Sequence, residues 1–150
     1  MVRRTLACGF FLAAVLPAAA QEWTTRGAGE AFEAGSLVDG QMAGILMRCE
    51  PGGAVEIRLT HNGAVFDRAR EHTIVLSVDG MATMLSARAV ESTRPGDDDF
   101  VASGALSAID AFLSALARGR SLEVSAPSGR YTLGLAGSSR AVAGLRERCG

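Results

Sequence analysis

Apolar and polar positions alternate most cleanly over "AVEIRLTH" (54–61), where Val55, Ile57 and Leu59 fall between Glu56, Arg58 and Thr60. A period of two places the two sets on opposite faces of a strand, so this segment reads as a strand with one wet face. The apolar run "AGILMRC" (43–49) suits a largely buried strand, and "EPGG" (50–53) supplies the turn between them. Pro fixes one φ there and the glycines permit positive ones. Residues 43–60 therefore read as a hairpin. "TIVLSVDGMATMLSARAVE" (73–91) gives a second hairpin about Asp79-Gly80, a pair suited to a turn whose two central residues both need φ above zero. "HNGAVFDRAREH" (61–72) reads as a polar connection, and "STRPGDDDFVASG" (92–104) as a loop marked by Pro95-Gly96 and three aspartates.

The period then changes. In "ALSAIDAFLSALARG" (105–119), Leu106, Ile109, Leu113 and Leu116 recur at three and four, with Phe112 at the edge. That spacing predicts an amphipathic helix ended by Gly119, with Arg118 and Arg120 near its negative pole. "RSLEVS" and "RYTLGLA" (120–125, 130–136) predict a third hairpin across "APSG". Ser138 or Ser139 then caps a short helix whose Val142, Leu145 and Cys149 share one face. Before the first hairpin, residues 21–42 are rich in Gly, Ala and small polar residues. They read as an extended N-terminal arm with one short edge strand near Trp23, whose indole plugs the core. The expectation is a single α+β domain over 43–150. It has a largely antiparallel sheet built from hairpins, one central amphipathic helix and a short C-terminal helix.

The first twenty residues change the picture. Arg3 and Arg4, the apolar stretch Thr5 to Leu16, then Pro17 and Ala18-Ala19-Ala20 have the three parts of a secretory signal, with cleavage expected after Ala20. The apolar stretch is short of the roughly 20 residues a spanning helix needs. No stable membrane insertion is expected once the signal is removed, and the location implied is periplasmic or secreted. Cys8 leaves with the signal, so Cys49 and Cys149 remain. In an oxidising compartment an even count reads as disulfides, and one pairing is possible. The less favoured alternative is two free buried thiols. Thirteen arginines then face sixteen acids, a formal charge of −3, with no Lys anywhere in the chain. A mildly acidic chain without a basic cluster is a poor nucleic-acid binder.

Candidate chemistry is thin. His61 and His72 bracket one polar loop, no G-x-S-x-G is present, and "GSSR" (137–140) reads as a helix cap. The histidines and scattered acids do not form a recognisable zinc set, and no C-x-x-C occurs. Asp97, Asp98 and Asp99 offer oxygen ligands of the kind calcium takes. Consecutive residues point different ways, however, so a solvated acidic loop is the expectation and a weak calcium or partner contact the alternative. Asp110, beside the apolar stripe of the first helix, is expected to reach solvent or an arginine. No catalytic residue, cofactor or metal is assigned, and the protein is expected not to be an enzyme.

The "RC" of an early strand, the "VLSVDG" hairpin, "FLSALARGRSLEV" and "YTLGLAGSSRAVAGLRERC" together resemble small periplasmic proteins of proteobacteria. Over residues 46–149 the chain resembles the VasI/TagO family of type VI secretion accessory proteins, which join an early Arg-Cys to a near-terminal cysteine. It departs from that family in lacking an aspartate- and serine-rich stretch before Leu46. A second likeness is to the periplasmic proteins grouped with the invasion-associated locus B family, which carry more cysteines. The resemblance implies a non-catalytic binding or assembly accessory whose partner is an envelope or secretion-system protein, linked to type VI secretion or the cell envelope. The alternatives are a small secreted hydrolase or hydrolase inhibitor, and a sheet domain carrying a small apolar ligand in a closed cavity.

Overall fold

The computed structural model describes residues 22–38, 41–60 and 62–150. The secretory signal expected at 1–20 and His61 lie outside the described residues. Among the described residues, nine strands form one sheet: β1 (Glu22–Arg26), β2 (Glu33–Val38), β3 (Gln41–Glu50), β4 (Ala54–Leu59), β5 (Glu71–Val78), β6 (Met81–Glu91), β7 (Asp98–Ala105), β8 (Ser121–Ala126) and β9 (Gly129–Gly134). The spatial order is β1-β2-β3-β4-β7-β6-β5-β8-β9, and every neighbouring pair is antiparallel. Helices α1 (Leu106–Arg118) and α2 (Ser138–Cys149) complete the fold. The α+β class expected from the sequence is thereby overturned: the molecule is sheet-dominated, and its two helices serve as a cover.

Two strand runs escaped the sequence reading for different reasons. β7 occupies most of the expected loop 92–104, because aspartates are depleted in strands on average but are accommodated here by specific partners. Residues 21–42, read as an arm with one edge strand, carry both β1 and β2. Trp23 is buried there, donating its indole N–H to Gly134 O at 2.9 Å and its amide to Ala136 O at 2.7 Å. Strand one thus meets the segment after strand nine, and the sheet curls without its outer strands forming a closing ladder. Gly137 makes this contact possible. Its φ of 84° is left-handed, and a Cβ there would sit 2.5 Å from Trp23 O.

The core follows from the period-two pattern. Val55, Ile57 and Leu59 of β4 face inward, with Ile57 opposite Met47 on β3 and Ala102 on β7. Across the sheet the same face carries Phe100, Ala87, Ala89, Ile74, Leu76, Leu122 and Val124. Ile109, Phe112, Leu113 and Leu116 of α1 and Ala141, Val142 and Leu145 of α2 close over it. Each fully buried Leu or Ile contributes about 1.5–3 kcal/mol relative to exposure. The two helices pack on each other, α2 against β1, β2 and β3 and α1 against β7 and β5.

Helix α1 ends at Gly119 as expected, whereas α2 does not use the expected serine cap. The N-cap position of α2 is Gly137, and Ser138 is instead buried with its hydroxyl donating to Leu116 O at 2.7 Å, which ties α2 to α1. Cys49 at the end of β3 and Cys149 at the end of α2 form a disulfide with a sequence separation of 100. It pins the last helical turn to β3, the leading strand of the hairpin read over 43–60.

Candidate functional site

The expected acidic loop is a buried anchor, which corrects the solvated reading. Asp97, Asp98 and Asp99 are all buried. The Asp97 carboxylate accepts the Gly63 amide at 2.9 Å. Asp98 accepts the Phe66 amide on Oδ2 at 2.9 Å, and Nε and Nη2 of Arg68 on Oδ1 at 3.1 and 2.5 Å. The Arg68 contact and the Phe66 amide hold the Asp98 carboxyl below the ordinary carboxylate range, against the opposing push of burial. These bonds fasten the long β4–β5 connection to the start of β7. Asp99 faces the other side of the sheet and pairs with Arg58, as set out below. No three His, Cys, Asp or Glu side chains are grouped to hold a metal among the described residues.

His72 is half-buried beside Phe66 and Phe100, with ring centroids 6.1 and 5.2 Å away, and its Nε2 lies 2.9 Å from Asp67 O. It is a packing residue with a backbone partner, not a base aimed at a serine. Asp110 meets an arginine: its carboxylate accepts Arg146 Nη2 at 2.6 Å.

Polar chemistry collects on the outer face of β1–β4. The register that places Ile57 inward turns its neighbours outward, and antiparallel pairing sets Arg48 opposite Glu56 and Glu33 opposite Arg48. Glu56 is buried, its side chain 7% exposed, and both its oxygens are used. Oε2 accepts Arg48 Nη2 at 2.9 Å, and Oε1 accepts Arg58 Nε at 3.2 Å. Arg58 also donates Nη1 to Asp99 Oδ2 at 3.1 Å. Asp99 Oδ1 is buried with no hydrogen-bond partner. Burial works to lower the Arg58 pKa, but the Glu56 charge and the bonds to Asp99 and Glu56 outweigh it, so the guanidinium stays charged with its pKa raised. Farther out, Arg26 Nε donates to Glu33 at 2.7 Å.

This ladder floors an open groove of about 360 Å3. Its lining takes Arg48, Arg58 and Asp99 from the paired strands, Ser92, Thr93 and Arg94 from the β6–β7 connection, and the apolar side chains of Met42 and Leu46. The Arg94 side chain is exposed, with no ion pair or hydrogen bond among the described residues. Of these residues the sequence singled out Asp99, as a possible calcium ligand, and placed Arg58 and Thr60 on a wet strand face, without bringing them together. The signal was present in the first hairpin: a turn at 51–53 sets position 48 opposite 56, which puts Arg48, Glu56 and Arg58 together on the wet face.

The fold is a curled, wholly antiparallel sheet with two helices over its inner face and a bridge from the early hairpin to the last helix. No family model matches the chain, and no curated protein matches it. Among solved structures, invasion associated protein B from Bartonella henselae is similar with a TM-score of 0.53 and 14% identity. The match covers 87% of this chain and 96% of that one. At this identity the likeness is one of fold. The matched structure carries the name of the second group the sequence resembles, and no match is to the VasI/TagO family.

Proposed function

We propose that the chain is a non-catalytic, exported accessory protein of the bacterial cell envelope that works by binding a partner protein. The observation that carries this reading is the Cys49–Cys149 disulfide, a bond that persists in compartments outside the cytoplasm. Three further features support it. No helix among the described residues is long and apolar enough to cross a membrane. The fold resembles a protein titled as invasion associated. The polar side chains weighed from the sequence are engaged elsewhere: Asp98, considered for calcium, anchors a connection, and His72, considered for a hydrolase, packs against two phenylalanines.

The partner is an envelope or secretion-system protein, and the polar outer face of β1–β4 is the surface offered to it. Two measurements test the reading. Cell fractionation is expected to place a processed chain in the periplasmic fraction. The oxidised protein, used as bait on envelope extracts, is expected to retain a specific envelope protein that rebinds when purified. A cytoplasmic, unprocessed chain, or no retained partner under several conditions, overturns it.

A further inference from the structure

The groove on the outer face contains guanidinium groups held in fixed orientation but far from saturated. Arg58 spends two of its five N–H donors, one on Glu56 and one on Asp99, and Arg48 spends one on Glu56. Their side chains remain 26% and 44% exposed while Glu56 beneath them is 7% exposed. One buried carboxylate therefore clamps two arginines side by side on a rigid strand pair and leaves their remaining donors to the groove. Arg94 stands on the β6–β7 connection beside them without a counter-ion among the described residues. With Arg26 counted, four guanidiniums face the carboxylates of Glu33, Glu56 and Asp99, a local excess of one positive charge in a chain that is formally −1.

We infer that this groove is a binding site for an acidic peptide segment of the partner, with Arg48, Arg58 and Arg94 receiving its carboxylates. The inference rests on the accessory reading above. Planar guanidinium forks match carboxylates in pairs, and donors fixed before binding lose little entropy when they engage. The volume lies at the lower end of the roughly 300–1,000 Å3 typical of ligand sites. The lining also discriminates among anions. Glu33 and Asp99 share the groove with the arginines, and their negative charge opposes a dense polyanion such as polyphosphate. A peptide offers spaced carboxylates, backbone groups for Ser92 and Thr93, and apolar side chains for Met42 and Leu46.

The test is fluorescence anisotropy on the folded, oxidised protein with a labelled peptide of alternating Glu and Ala, against the same peptide with Gln for Glu. The glutamate peptide is expected to bind, the glutamine peptide not, and the affinity to fall with added salt. Arg48→Gln and Arg94→Gln are each expected to weaken binding about tenfold, the loss of one charge-assisted hydrogen bond. Arg118→Gln, an exposed charge at the end of α1, is expected to leave it unchanged. Glu56→Gln separates a clamp from simple charge. Removing a negative group should favour an anion by Coulomb's law, whereas loss of the clamp weakens binding. Equal or tighter binding by Glu56→Gln overturns the clamp. No binding of the glutamate peptide, equal loss in Arg118→Gln, or tighter binding of polyphosphate than of peptide overturns the site. A purified envelope partner that holds equally to wild type and to the Arg48→Gln/Arg94→Gln double variant removes the groove and leaves the accessory function standing.

Discussion

Asp98 is fully buried and holds Arg68, a residue 30 positions earlier, through two guanidinium nitrogens on one carboxylate oxygen. The same carboxylate takes the Phe66 amide, so one side chain fixes the path of the β4–β5 connection.

Its carboxyl is held below the ordinary range, mainly by Arg68 and the Phe66 amide. A depressed folded-state value stabilises the fold fully above the unfolded value, about 3.9, and the contribution fades as pH falls through the folded value. Asp98→Asn is therefore expected to melt below wild type at pH 7, with the gap closing below about pH 4. Thermal scans from pH 7 to pH 2 check this. A gap that stays constant with pH would show that the charge is irrelevant.

Tyr131 responds at the other end of the scale. Burial pushes its hydroxyl up to about 12, and the hydroxyl donates to Gly44 O at 3.1 Å. A raised folded-state value stabilises fully below the unfolded value, about 10, and that contribution disappears as pH climbs toward 12. Wild type is expected to lose stability across that interval. Tyr131→Phe, starting lower by about 1 kcal/mol for the missing hydrogen bond, should show a flatter profile. Denaturant midpoints at pH 8, 10 and 11 distinguish the two.

Reduction of Cys49–Cys149 opens a loop spanning 100 positions. In the chain-entropy account such a bridge contributes on the order of 4–5 kcal/mol, so dithiothreitol or Cys149→Ser should lower the melting temperature by roughly 10–20 °C. Differential scanning calorimetry with and without reductant measures it, and a shift of a degree or two would contradict the account.

Asp79 bears a left-handed φ of 46° in the β5–β6 turn, and its carboxylate accepts the amides of Arg120 and Ser121 at 3.0 and 3.1 Å. Asp79→Gly relieves the backbone and loses both bonds, for an expected cost of about 1 kcal/mol. Asp79→Ala loses the bonds and keeps the strain, costing about 2 kcal/mol. Urea unfolding that ranks Ala at or above Gly would refute the ordering.

Patterns that depend on near neighbours were legible in the sequence. Val55, Ile57 and Leu59 announced β4, Asp79-Gly80 its turn, Ile109, Leu113 and Leu116 a helix, and Cys49 and Cys149 their bridge. What stayed hidden depends on distant partners. Asp97–Asp99 look like a solvated loop until Gly63, Phe66, Arg68 and Arg58 arrive to neutralise them, so β7 was invisible and with it the sheet's dominance. Trp23 was recognisable as buried on an edge strand, but β2 beside it and its bonds to Gly134 and Ala136, more than a hundred positions away, were not. Ser138 has cap chemistry, yet the nearby Leu116 carbonyl outcompeted its own helix. The groove was half legible: alternation put Glu56 and Arg58 on the wet face, while the meeting with Asp99 needed the β4–β7 pairing.

The packing of α2 on β1, β2 and β3 bears on how the chain assembles. A chain delivered N-terminus first releases β1, β2 and β3 long before α2, the helix that shelters their apolar side, has emerged. Those three strands stay wetted on what becomes their inner surface until α2 is free. Completion of this half of the molecule therefore waits on residues 138–149, and their removal is expected to leave an adhesive, unfinished sheet instead of a smaller domain.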